Sequence, residues 1–252
     1  GIGIAGVNPW ARIMPIKVTN YHGLGSSVDI AAGVSYAVRN GAKVINISMG
    51  GHAFSETEQA AIIYAQENDV LVVVAAGNDG TDAAGVWPAA LDNVITVAAL
   101  APGDARAAYS NWGAPVDIAA PGSNILSLRA RYTDPLAFAS ADYQPGDNIV
   151  GDRRILYHVS GTSFAAPFVA GVASLIRAYS PELDAASVRR MLLQSAADLG
   201  KPGVDPLTGY GLLDAAAALS LSPDFFIEAL IQQPQPVQKD GEVVVAFIGT
   251  AD

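Results

Sequence analysis

Residues 160–171 read SGTSFAAPFVAG: three hydroxyls, Ser160, Thr162 and Ser163, stand in four positions ahead of an apolar, Ala-rich run that continues to Tyr179. A hydroxyl just before a helix is ordinarily an N-cap that accepts a free amide of the first turn. Two features point to chemistry instead. The segment behind is apolar on every face (Phe164, Phe168, Val169, Val172, Leu175, Ile176), which predicts a helix through the core. The mouth of such a helix gathers unsatisfied N–H groups and the positive end of the dipole, where a developing oxyanion is stabilised. Pro167 also has no N–H to give the carbonyl of Ser163, four residues back, so the first turn is not an ordinary one. A serine nucleophile further needs a base, and donors facing the oxygen that becomes negative.

The base is harder to find. The chain has three histidines, His22, His52 and His158, far apart in sequence. GTSFA approaches the G-x-S-x-G elbow of α/β-hydrolases, but that fold places its acid and then its His after the serine. No His follows His158. The opposite order, acid then His then Ser, puts both partners upstream. GIGIAG at 1–6 matches the dinucleotide fingerprint by letter, yet Asn8-Pro9 follows and the next run reads as a strand, so it reads as a Gly-rich loop. No metal-binding His pair, phosphate loop or EF-hand pattern occurs, and with no cysteine there are no disulfides, thiolate sites or Cys nucleophiles.

Composition narrows the classes further. Among 252 residues, 14 Lys and Arg stand against 24 Asp and Glu, a net charge of −10. Such an acidic chain argues against non-specific nucleic-acid binding, which works by neutralising phosphates. No apolar run reaches the ~18 residues of a membrane span. Half the residues are apolar, enough for a sizeable core.

The elements that must position these residues alternate. ARIMPIKVT (11–19), KVINISM (43–49), DVLVVVAA (69–76) and NVITVAAL (93–100) read as strands. Residues 26–40 read as a helix capped by Ser26 or Ser27 and ended by Gly41; Ser55 and Glu58 form a capping box for a helix through Asn68. The pattern predicts an α/β domain with a mainly parallel sheet between helices. Residues 101–160 are loop-rich, with short strands at 116–121 and 124–128; helices follow at 163–179, 184–197 and 211–219. Composition changes after Ser222: QQPQPVQKD (232–240) reads as a linker or loop and GEVVVAFIG (241–249) as a strand. The expected organisation is a domain over 1–220, then a linker and the start of a C-terminal β-type module over 221–252.

G-T-S-x-A-x-P with V-A-G behind it resembles the nucleophile motif of the subtilisin-like serine proteases. NISMGG (46–51), VVVAAGNDG (72–80), YSNWGAPVDIAAPGSNILS (109–127) and GYGLLDAAAAL (209–219) resemble further segments of that family, in its order, over roughly residues 1–220. The resemblance implies a three-layer subtilisin-like fold and a secreted serine endopeptidase acting on polypeptides. It implies Ser163 as nucleophile, Asn78 as side-chain donor of the oxyanion hole, Ser48, Met49 and Gly50 as the strand a peptide pairs with, and Gly25 on the opposing edge. It implies no cofactor for catalysis. Family members often carry structural calcium, to which backbone oxygens of Ile2 and Ile4 would contribute with the rest of the site upstream. The family's Asp-Ser/Thr-Gly and His-Gly-Thr-x-Val-Ala-Gly motifs are not found here. The chain is therefore expected to begin just downstream of the His helix, to rely on that upstream segment of the same protein, and to be inactive alone. A non-catalytic, peptide-binding or structural protein of the same fold is the first alternative, and an α/β-hydrolase esterase, which requires a His after Ser163, is the second.

Overall fold

The structure is a computed structural model. It describes residues 4–20, 22–129, 148–151 and 155–222, and the backbone of four short strands between 229 and 251. Four strands, β1 (Val44–Ile47), β2 (Leu71–Ala75), β3 (Ile95–Leu100) and β4 (Ile118–Pro121), form a parallel sheet in the order β1-β2-β3-β4. Val44 pairs with Leu71, Val73 with Ile95, and Val97 with Ile118. All of β2 and β3 is buried, as expected of parallel strands covered on both faces.

Helices α1 (Ser27–Arg39) and α2 (Glu56–Glu67) cover one face. Ala31, Val34, Ile62 and Ala65 pack there against Val72 and Val74. Helix α3 (Thr162–Tyr179) crosses all four strands, with Val169, Val172 and Ile176 buried. Helix α4 (Ala185–Gln194) packs on α3 and on α5 (Ala215–Ser220). The result is the expected three-layer α/β architecture. No helix among the described residues is long and apolar enough to cross a membrane.

Local signals hold where the chain supplies its own partners. Ser26 caps α1 by accepting the Asp29 N–H at 3.1 Å. Ser55 caps α2 by accepting the Glu58 N–H, but Glu58 makes no return bond. That carboxyl is buried, and desolvation holds it above the usual carboxylate range. Asp184 caps α4, and Asp214 accepts the Ala217 N–H at 2.9 Å. The last two helices are shorter than expected, by three residues at the end of α4 and by four at the start of α5.

One polar junction ties three elements. Arg177, in the last turn of α3, donates to Asp69 O at 2.9 Å and to Asp69 Oδ1 at 2.8 Å. The same Oδ1 accepts Ala185 N–H at the start of α4, and Lys43 Nζ lies 3.6 Å from Oδ2. Desolvation alone would raise the Asp69 carboxyl; Arg177, the Ala185 amide and Lys43 together outweigh it and hold the group below its ordinary value.

Three expectations are corrected. Residues 11–19 form no strand. Their alternation is right, and Ile16 and Val18 lie against Gly33 of α1, but among the described residues no N–H of 12–19 finds a main-chain partner. A strand exists only as one side of a ladder, and here no ladder is offered. Trp10 and Ile13 stand 84 % and 82 % exposed. Next, β5 (Ile125–Leu128) belongs to an antiparallel sheet with β7 (Leu156–Val159) and β6 (Ile149–Val150), neither of which was anticipated. Finally, the stretch read as a linker or loop contains β9 (Gln235–Lys239), paired antiparallel with β10 (Glu242–Ala246). Short strands β8 (Ala229–Ile231) and β11 (Gly249–Ala251) also pair. Backbone proximity divides the chain into Gly1–Ser220 and Leu221–Asp252.

Candidate active site

The three hydroxyls of SGTS have three different partners, and none of them caps α3. The N-cap is Gly161, which has no side chain to offer. Ser160 Oγ accepts the N–H of Asn124 at 2.9 Å, in the loop between β4 and β5. Gly161 N–H donates to Gly122 O at 2.8 Å, and Tyr109 Oη donates to that same oxygen at 2.8 Å. Burial raises the Tyr109 phenol above its ordinary value, which keeps it a neutral donor. The turn before Ser163 is thus fastened to the end of β4.

Thr162 is fully buried and faces the loop after β2. Its N–H donates to Asn78 Oδ1 at 2.8 Å and its Oγ1 to the same atom at 3.0 Å, while Gly77 N–H donates to Thr162 Oγ1 at 3.2 Å. A backbone N–H can only donate, so the amide atom facing Thr162 is the oxygen. Asn78 Nδ2 then points away from Thr162 and has no partner among the described residues. Asn78 is exposed, so its free donors open to the surface of the site. The N–H of Ser163, at the second position of the helix, also has no partner among the described residues. Two neutral donors therefore stand free at the mouth of α3, which is what a developing oxyanion requires. Thr162 was read only as one of three hydroxyls; nothing in the local spacing shows that it orients an amide 84 residues away.

Ser163 and Ser48 exchange hydrogen bonds. Ser163 Oγ donates to Ser48 O at 3.1 Å, and Ser48 Oγ donates to Ser163 O at 2.8 Å. The second bond answers the question raised by Pro167. Ser163 O lacks its intrahelical donor, and the hydroxyl just past β1 replaces it. Met49 leans on the core beside α1 and α2. Gly50 is exposed, and a Cβ there would lie 2.8 Å from Trp87 O, too close for any side chain. Gly51 and Trp87 form a two-bond antiparallel bridge, Gly51 N–H to Trp87 O at 2.9 Å and Trp87 N–H to Gly51 O at 2.7 Å. Gly25 lies at the entry to α1, exposed, with its backbone against Val18 O. No described hydrogen bond joins it to Ser48, Met49, Gly50 or Ser163.

None of the three imidazoles is hydrogen-bonded to Ser163 Oγ. His52 Nδ1 lies 3.2 Å from Gly85 O and its Nε2 3.7 Å from Asp79 Oδ2. His158 Nδ1 lies 3.3 Å from Asn124 O. His22 stands at the turn before α1, its N–H donating to Asn20 Oδ1. Of the backbone oxygens that calcium would use, Ile2 lies outside the described residues. Around Ile4, as elsewhere among the described residues, no three His, Cys, Asp or Glu side chains are grouped to hold a cation.

The loop that carries Asn78 is held from behind by residues 109–113. Fully buried Asn111 accepts the N–H groups of Asp79 at 2.9 Å and Thr81 at 3.1 Å on Oδ1, and donates Nδ2 to Ala76 O at 3.0 Å. Its own N–H donates to Gly77 O at 3.0 Å. Gly80 N–H reaches Tyr109 O at 2.8 Å, and Trp112 Nε1 reaches Gly80 O at 3.1 Å.

Comparison with known proteins accords with this geometry. The chain is 35 % identical, over 217 residues, to the thermostable alkaline protease of Halalkalibacterium halodurans, covering 86 % of this chain and 53 % of that protein. It is 38 % identical over 232 residues to the extracellular protease of Xanthomonas campestris pv. campestris, covering 86 % and 37 %. It thus spans about half or less of the length of these relatives. Among solved structures, a protease from Pseudoalteromonas arctica superposes with a TM-score of 0.73 at 33 % identity, covering 86 % of this chain and 65 % of that one. The model of the subtilase family of peptidases matches residues 1–211, and the chain belongs to that family.

Proposed function

We propose that residues 1–220 form the nucleophile-bearing part of a secreted serine endopeptidase, and that 221–252 open a further β-type module. The observation that carries this reading is the pinned amide of Asn78. Two donors from Thr162 hold its oxygen and leave Nδ2 free one residue from Ser163. In this reading a peptide lies along Ser48–Gly50, with Gly25 on the opposite edge. Ser163 Oγ attacks the scissile carbonyl, and Asn78 Nδ2 with the Ser163 N–H receives the oxyanion. The acyl-enzyme is then hydrolysed by water.

The general base and its orienting acid come from outside residues 1–252, in the same protein. Supporting this, the Ser163 proton is directed at a carbonyl oxygen, which is no base, and none of the described imidazoles takes it. The name of the Xanthomonas relative, an extracellular protease, supports secretion. In the whole protein, a fluorophosphonate is expected to label Ser163 and the label to vanish in Ser163→Ala, with loss of peptide hydrolysis. Thr162→Ser, which keeps the hydroxyl that anchors Asn78, is expected to retain most activity. The hydroxyl's engagement with Ser48 O also favours a second reading, a peptide-binding protein without turnover. Failure of the unsubstituted whole protein to take up the label would select that reading.

A further inference from the structure

The clamp behind the Asn78 loop does more than fold it. We propose that Asn111 is the positioning residue for the oxyanion donor: it never touches substrate, but it fixes the backbone from which Asn78 reaches the site. The inference rests on Asn78 being that donor.

Asn78 is an exposed residue on a loop, and an exposed loop amide is ordinarily free to turn. A donor contributes to catalysis only if its position is set before the charge develops. Thr162 fixes the amide at its tip. The backbone beneath needs a second hold, and Asn111 supplies it on both sides of residue 78. Its Oδ1 takes the amides of Asp79 and Thr81, its Nδ2 takes Ala76 O, and its own N–H takes Gly77 O. Four bonds from one residue thus span the loop from 76 to 81.

The fit is tight as well as complete. A Cβ on Gly77 would lie 2.3 Å from Asn111 Nδ2, so the amide fills the space left by the missing side chain. Asn111 is held in turn: Ser110 Oγ donates to Asn111 O at 3.1 Å and accepts Ala99 N–H of β3 at 2.9 Å, and both residues are fully buried. The loop geometry is therefore referenced to the central sheet. No other residue type fits as well. The site needs one acceptor for two amides and one donor for a carbonyl, on one short planar group. An aspartate would set a charge against Ala76 O, and a glutamine is a methylene too long for a closed space.

A double-substitution cycle in the whole protein tests this. Asn111→Ala is expected to lower kcat by roughly 10- to 100-fold, the scale of an ångström-sized misplacement, with KM changed less than about two-fold. In an Asn78→Ala background the same substitution is expected to change kcat less than about two-fold, because the donor it positions is gone. Its effect on Tm is expected in both backgrounds. If Asn111→Ala does not fold, Asn111→Asp, which keeps the acceptor for Asp79 and Thr81, takes its place in the cycle with a smaller expected loss. An equal kcat loss in both backgrounds, or no loss in a folded variant, overturns the positioning role while leaving Asn78 as the donor. An Asn78→Ala variant with undiminished kcat overturns the donor reading itself, and this inference with it.

Discussion

The two flanks of the parallel sheet are built to different standards. On the flank of β2 and β3, the loop 76–83 is bonded to the segment 109–113 behind it and to the mouth of α3 in front. On the side of α1, residues 12–19 lie against Gly33 with no main-chain partner for their N–H groups among the described residues. What separates them is whether the chain supplies a neighbour. The contrast carries into the proposed function: the two donors proposed for the oxyanion, Asn78 Nδ2 and the Ser163 N–H, both lie within residues 1–252, whereas Ser163 Oγ donates its proton toward the Ser48 carbonyl and no base.

The most direct way to break this comparison is at its chemical end. Asn78→Leu in the whole protein is expected to lower kcat by about 10²–10³ with little change in KM, because the donor acts on the transition state alone. A raised KM with unchanged kcat would make Asn78 a ground-state binding residue. The next effect is on stability. Gly77 has φ 105° and no room for a Cβ, so Gly77→Ala is expected to cost about 3 kcal/mol in denaturant unfolding. Ile13→Ser, in the open segment, is expected to stay within about 0.5 kcal/mol. Equal costs would mean that the two flanks are equally packed.

An effect smaller than that of Gly77→Ala sharpens the comparison at the Asp69 junction. The folded carboxyl of Asp69 lies below its ordinary value, so its contribution is full above the unfolded carboxylate range and is lost as pH falls through the depressed folded value. Asp69→Asn is expected to lower Tm by about 3 °C at pH 7, a modest figure because the carboxylate is partly exposed. The gap between variant and parent should close in acid. A gap independent of pH would show that hydrogen-bond geometry, not charge, holds Arg177.

Part of the candidate site was legible from local signals and part from resemblance. GTSFAAP singles out Ser163, Asn78 is reached through the resemblance of VVVAAGNDG to a family segment, and Pro167 by itself announces that Ser163 O lacks a donor. The identity of the replacement was not legible: Ser48 lies 115 residues away, and spacing along a chain says nothing about pairs at that distance. Asn111 is hidden for the same reason, although it lies in the segment 109–127 that resembles the family. Caps on α1 and α2 were readable because Ser26 and Ser55 bond three residues on. The failure at 11–19 is the reverse case. Alternation states which face is apolar, but strand formation depends on a neighbour that the pattern does not name. β7 was missed because its ladder partner β5 lies some thirty residues earlier.

Pro167 and Ser48 also carry a consequence for how such sequences change over time. The proline creates a vacancy at Ser163 O and the serine fills it, so neither position is free to drift alone. Losing the Ser48 hydroxyl while Pro167 remains leaves a part-buried carbonyl without a partner; replacing Pro167 first restores an N–H and releases position 48 from its duty. Only one order of substitution avoids a weakened intermediate. The pair therefore behaves as a historical ratchet: once the proline is in place, the residue at 48 is held by a structural debt.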